Sequence, residues 1–133
     1  MTYKVTYQQR QGYLHATITG ENSVDAVAGY LNDILEECKQ RECYCALIDE
    51  QLEGPRLGVD AVFSLASEGA MNAIGIFHAI AFVDEKMGHM AEFAENIAVN
   101  RGMPVRAFPT IGHAEEWLKT LVEGPEEQGI FDL

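Results

Sequence analysis

The spacing of apolar side chains changes along this chain, and that change is the feature that most constrains its fold. In the segments TYKVTYQ (2–8) and YLHATIT (13–19), apolar and polar residues alternate one by one, as in strands with one buried face. The residues between them, QRQG, include Gly12 and predict a turn. The N-terminal part of the chain therefore predicts a β-hairpin.

After the hairpin, stretches with helical spacing alternate with short apolar runs. Helical spacing occurs in ENSVDAVAGYLNDILEECKQR (21–41), EKMGHMAEFAENIAVNRG (85–102) and TIGHAEEWLKTL (110–121). The runs YCALID (44–49), FHAIAFVD (77–84) and VRAF (105–108) are typical of strands covered on both faces. Within 50–76, the residues Leu57, Val62, Phe63 and Ala66 suggest a short helix that fades toward Gly69.

The predicted order is β-β-α-β-α-β-α-β-α, which indicates a single-domain α/β layer sandwich over residues 1–122. Strands joined through helices lie parallel, so only the first strand needs to be antiparallel in this mixed five-stranded sheet. The acidic segment 123–133 predicts a flexible tail.

Charge and hydropathy exclude several classes of function. The chain carries 9 basic and 21 acidic residues, a formal charge of −12, and the basic residues form no stripe that could follow a phosphate backbone. Nucleic-acid binding is therefore not expected. No apolar run reaches the roughly 18 residues of a membrane span, and the N-terminus lacks the apolar core of a secretion signal. We therefore expect a cytoplasmic protein without a transmembrane segment.

Motifs for metals, cofactors and nucleophilic catalysis are missing from the sequence. Cys38, Cys43 and Cys45 lack the paired spacing of a zinc site, and the four histidines form no ligand pair. No phosphate-binding glycine motif and no nucleophile elbow occurs. The sequence thus predicts no metal and no cofactor, and it favours a protein that is not an enzyme.

Three stretches, YLHATITG, HAIAFVD and NRGMPVRAFPTIGHAEEWL, resemble the SpoIIAA-like family, a branch of small bacterial STAS and SEC14-type domains. The resemblance covers roughly residues 3–122. It implies a non-enzymatic domain, since STAS relatives bind protein partners and SEC14-like relatives hold lipids or other apolar ligands. Some STAS relatives are switched by phosphorylation in a D-S-x-G-like motif. This chain contains no Asp-Ser pair, so such a switch is not expected here.

The position of a site follows from topology, because ligands of parallel α/β sheets usually bind beyond the carboxyl ends of the strands. Two predicted strands end at Asp49 and at Asp84, and these two carboxylates approach each other if the strands are neighbours. Such a pair could bind a cation or perform acid–base chemistry. The alternative is that each carboxylate caps the following turn and faces water. The residues proposed to bind a ligand are Asp49, Arg56, Phe63, Asp84 and Lys86.

The function that these patterns favour is binding of an apolar or amphiphilic small ligand at the strand-end face near residues 50–76. That segment is long, punctuated by glycine and rich in apolar residues, and Arg56 could meet an anionic head group. One alternative is a protein-interaction module, which includes a homodimer that pairs along residues 2–8. The other is an enzyme that depends on the carboxylate pair.

Overall fold

The fold is built around one mixed β-sheet. The structure, a computed structural model, describes residues 3–84, 86 and 89–131 of the chain. Across these residues it has five strands and four helices, and the predicted order and fold class are confirmed. The elements are β1 (Tyr3–Gln9), β2 (Leu14–Glu21), α1 (Val24–Arg41), β3 (Cys45–Glu53), α2 (Val59–Ala73), β4 (Ala79–Val83), α3 (His89–Asn100), β5 (Val105–Phe108) and α4 (Ile111–Phe131).

The strands stand in the sheet in the same order as in the chain, β1-β2-β3-β4-β5. β1 is antiparallel to β2, and each later pair of neighbours is parallel. Right-handed crossovers that always step in the same direction place their helices on one face of the sheet. The three connecting helices α1, α2 and α3 accordingly lie side by side, α1 against α2 and α2 against α3.

The two faces of the sheet are covered unequally. The larger core lies beneath α1, α2 and α3 and includes Ile18, Ile48 and Ile80 of the sheet. Among the described helices, α4 alone packs on the opposite face, where Leu118 and Leu47 belong to a smaller core. Consecutive residues of β3 thus point into different cores, because side chains alternate across a strand.

Helix α1 begins after a capping serine. The side chain of Ser23 accepts a hydrogen bond from the backbone N–H of Ala26 at 3.0 Å, which satisfies one of the free amides of the first turn. The buried residues recur every three or four positions and form one stripe toward the sheet: Ala26, Val27, Tyr30, Ile34, Leu35 and Cys38. Tyr30 is the member of this stripe that brings a polar atom into the core.

Three elements are longer than the sequence patterns indicated. β3 continues past Asp49 to Glu53, and α2 runs through Gly69 to Ala73. Gly69 lies against Leu31 of α1, so tertiary packing offsets the low helix propensity of glycine. Helix α4 continues beyond Val122, the residue at which the sequence patterns end the domain. The flexible tail over 123–133 stays a prediction. None of the helices that the structure describes is long and apolar enough to cross a membrane.

Candidate functional site

A cavity of about 240 Å³ lies between the sheet and the helices α1, α2 and α3. Its walls are mostly apolar, and small residues of the helices leave the space: Ala66, Gly69, Ala70 and Ala73 of α2, and Ala91, Ala94 and Ala98 of α3. Glycine has no side chain and alanine has only a methyl group, so these positions leave space between the helices and the sheet. The small residues of α2 and α3 thus contribute to the cavity.

Two buried carboxyl groups, Glu50 and Asp84, form the polar end of this cavity. Glu50 belongs to β3 and shares the helix-covered face with Ile48 and Leu52. Asp84 directly follows β4, the neighbouring parallel strand. The hydroxyl of Tyr30 in α1 donates a hydrogen bond to Oε2 of Glu50. Three elements of the fold therefore bring these polar groups together at the carboxyl ends of adjacent strands, where sites of parallel sheets usually lie.

The pKa of Glu50 is raised to about 8, first by burial and second by a hydrogen bond with the carboxyl group of Asp84. The Tyr30 hydroxyl and the Arg56 guanidinium act in the opposite direction. Burial likewise raises the pKa of Tyr30 well above 10.0. Glu50 therefore holds a proton at neutral pH, and it can donate that proton to Asp84. Oδ2 of Asp84 is a buried atom with no hydrogen-bond partner assigned to it among the described residues.

Arg56 partly balances the charge of Asp84. Its Nη1 atom lies 3.6 Å from Oδ2 of Asp84. Its Nη2 atom donates to the backbone carbonyls of Leu52 and Gly54, both at 2.9 Å, so the guanidinium also holds the loop after β3. Asn22 fixes the same loop by donating to the carbonyl of Pro55 at 2.9 Å. These contacts hold the positive charge of Arg56 at the end of the cavity where Glu50 and Asp84 lie.

This arrangement can both donate and accept hydrogen bonds. A protonated carboxyl group beside an ionised one can donate a hydrogen bond to a bound molecule and accept one from it. The surrounding apolar walls strengthen such contacts because they lower the local dielectric constant. A ligand with one polar group and an otherwise apolar body matches both the carboxyl groups at this end of the cavity and its apolar walls.

The structure brings together two of the five residues proposed from the sequence, Arg56 and Asp84, at the cavity wall. Phe63 lies on the outer side of α2, 46% exposed, with the guanidinium of Arg101 5.4 Å from its ring centre. Lys86 lies outside the cavity, and its Nζ atom is 2.6 Å from Oε2 of Glu53. Its backbone N–H donates to Oδ1 of Asp84 at 3.0 Å.

Asp49 lies on the opposite face of the sheet from Asp84, so the expected approach of these two carboxylates is wrong. Oδ2 of Asp49 is 3.3 Å from Nε2 of His15, and Gln51 donates to both its carboxylate oxygens. The partner of Asp84 is instead Glu50, the next residue along β3. Strands β3 and β4 are neighbours, as the expectation required, but the alternation of side chains excludes Asp49. Glu85 lies outside the described residues.

Sequence reasoning missed Glu50 and Tyr30, although both left a signal. In the segment ALIDEQLE, the residues Ile48, Glu50 and Leu52 share a face if the strand continues beyond Asp49. Tyr30 follows Val27 by three positions and so falls on the apolar stripe of α1. A polar residue on each of two buried faces is the pattern that could have identified them.

A group of three or more histidine, cysteine, aspartate or glutamate side chains arranged to hold a metal ion is not found in the part of the chain that the structure describes. A comparison with protein-family models found no match, and a search of curated proteins found no significant match. What the structure supports is the architecture: a mixed five-stranded α/β sheet, antiparallel at β1-β2 and parallel thereafter, consistent with a STAS-like fold.

Proposed function

We propose that this protein is a non-enzymatic, SpoIIAA-like domain that binds a small apolar or amphiphilic molecule in the cavity beneath α1, α2 and α3. The observation that carries the proposal is the cavity itself, about 240 Å³ of mostly apolar space that ends at the buried pair Glu50 and Asp84. Apolar walls with a few convergent polar groups are the usual composition of a ligand site. Helix α2, which lies within the segment 50–76, forms one of the walls.

The volume limits the size of the ligand. Ligand pockets are commonly about 300–1,000 Å³. An engineered apolar cavity of about 150 Å³ takes up benzene. By proportion, 240 Å³ suits a molecule of roughly nine or ten non-hydrogen atoms. A full phospholipid is much larger, so the ligand is a small molecule or a short apolar group.

Binding of a protein partner is the second candidate function. Exposed apolar side chains along α2 favour it: Val59, Phe63 and Met71, followed by Ile74 at the end of the helix. Exposed apolar groups of this kind often mark a contact surface when they are contiguous. The cavity carries more weight for the leading proposal because polar and apolar groups converge on it.

Filling the cavity should abolish ligand binding without unfolding the protein. Ala94 of α3 lines the cavity, and Ala94→Leu adds three carbon atoms to that space. We expect the free energy of unfolding to stay the same or to rise by up to about 1 kcal/mol, as cavity-filling substitutions often do. Native mass spectrometry of gently purified wild-type protein should show an additional mass that disappears on denaturation, and Ala94→Leu should lack it.

The matched control is Val99→Leu, on the exposed side of the same helix, which should keep the additional mass. Plain protein mass for the wild type would count against ligand binding. A native mass that corresponds to a dimer, or to a complex with a second protein, would support the partner-binding alternative.

A further inference from the structure

Resting on the proposed function, we infer that the cavity selects ligands whose polar end is a primary ammonium group, held by the carboxyl groups of Glu50 and Asp84. Three features of the site support this assignment: an unsatisfied acceptor, a proton that can be displaced, and the sign of the surrounding charge. The ligand class is thus a small cationic amphiphile, an amine on an apolar body.

The unsatisfied acceptor is Oδ2 of Asp84. The Asp84 side chain is only 2% exposed and lines the cavity, and this oxygen has no hydrogen-bond partner assigned among the described residues. Nη1 of Arg56 lies 3.6 Å from this oxygen, beyond hydrogen-bonding distance. A buried carboxylate oxygen of this kind requires a donor. An ammonium group brings three donors and a compensating charge.

The displaceable proton belongs to Glu50. When an ammonium group enters, it can replace the proton that lies between Glu50 and Asp84, so that both carboxyl groups become anionic and face one cation. The O–H bond of Glu50 breaks, its electron pair stays on the carboxylate, and the proton passes to solvent. Ammonium binding should therefore release a proton at pH 7, whereas binding of a neutral alcohol should not.

Charged groups around Glu50 favour a cation over an anion. Tyr30 of α1, Asp84 after β4 and Arg56 of the loop after β3 face it directly. Among the other cavity-lining residues, Glu68 of α2 and Glu95 of α3 add negative charge, whereas β5 contributes the uncharged residues Val105 and Ala107. Arg56 is thus outnumbered by carboxyl groups, and the formal charge of −12 on the whole chain also attracts cations.

The experiment compares three probes of similar shape, 2-phenylethylamine, 2-phenylethanol and phenylacetate, by isothermal titration calorimetry at pH 6, 7 and 8. We expect the amine to bind roughly tenfold or more tightly than the alcohol at pH 8, because charge-assisted hydrogen bonds are the stronger ones. Phenylacetate should bind most weakly. The preference for the amine should shrink at pH 6, where the proton on Glu50 is harder to displace. Titration in buffers of different ionisation enthalpy should detect the released proton.

The variant Glu50→Gln carries an amide that cannot release this proton, so its preference for the amine should fall and lose its pH dependence. Glu116→Gln is the control: it removes an exposed carboxylate of α4, on the opposite face of the sheet from the cavity, and should retain the preference. Equal affinities for amine and alcohol in the wild type, tightest binding of phenylacetate, or an unchanged preference in Glu50→Gln would each overturn the inference and leave the proposed function standing. If none of the three probes bound, the proposed function itself would fail.

Discussion

Replacing Glu50 with glutamine is expected to leave the free energy of unfolding nearly unchanged at pH 5 and to raise it by roughly 3–5 kcal/mol at pH 9. At pH 5 the folded wild type already carries an uncharged Glu50, and glutamine keeps nearly the same shape. The amide oxygen can accept the hydrogen bond from Tyr30, and the amide N–H can donate to Asp84. At pH 9 the wild type must instead bury an additional negative charge, which glutamine lacks.

The sign follows from proton linkage. The pKa of Glu50 is about 8 in the folded state against 4.5 as its ordinary value. Between these two values the folded protein holds a proton that the unfolded chain has released, so the stability of the wild type falls as pH rises. Below pH 4.5 both states are protonated, and above pH 8 the whole loss is present. Each pKa unit in this interval corresponds to about 1.4 kcal/mol.

Urea denaturation of both proteins from pH 5 to pH 9 measures this difference, since all other titrating groups are shared. Glu53→Gln is a matched control on the same strand, because Glu53 is fully exposed and its substitution should give no such pH-dependent gain. If the free energies of unfolding of the wild type and of Glu50→Gln changed in parallel over the whole pH range, Glu50 would ionise with its ordinary pKa. The site would then hold no protonated carboxyl group at neutral pH.

Truncating Leu118 to alanine is expected to lower the free energy of unfolding by about 2–5 kcal/mol. Leu118 is 0% exposed in the smaller core, which it shares with Leu47, Ala81 and Val83 of the sheet. Among the described helices only α4 covers this face, so no neighbouring helix can move into the space left by the lost side chain.

Leu121→Ala provides the control within the same helix, because Leu121 is 40% exposed and its loss should cost less than about 1 kcal/mol. Chemical denaturation of both variants gives the comparison. The cavity lies on the other face of the sheet, so Leu118→Ala should bind the probe molecules as the wild type does under conditions where it is folded. Equal stability losses for the two leucines would mean that α4 is not anchored through Leu118.

The sequence predicted the order of the elements because the apolar spacing of each is regular. Alternation in residues 2–8 and 13–19 indicated β1 and β2, and the apolar runs YCALID and FHAIAFVD indicated strands buried on both faces. The end of β3 was missed because Glu50, Gln51 and Glu53 interrupt the apolar run. Polar residues there are compatible with a strand because two of the three are exposed and the third has polar partners.

The candidate site was predicted only in part, since its composition depends on strand register and on packing. Topology placed Asp84 and Arg56 at the strand ends, where the structure has them. Whether Asp49 or Glu50 faces α1, α2 and α3 depends on the side of the sheet on which these helices pack, and the sequence around Asp49 does not indicate that side. The cavity depends on how far the alanines of α2 and α3 lie from the sheet, a distance that arises only from the packing of the whole fold.

A methyl-resolved NMR titration with 2-phenylethanol tests most directly whether the cavity binds small apolar molecules. Ile48 and Leu47 are consecutive residues of β3 that point into the two different cores, so they serve as probe and control within one strand. We predict saturable chemical-shift changes at the methyl groups of Ile48 and Ile80, which line the cavity, and no change at Leu47 and Leu118. Absent changes at Ile48 and Ile80, or equal changes on both faces of the sheet, would contradict the proposed site.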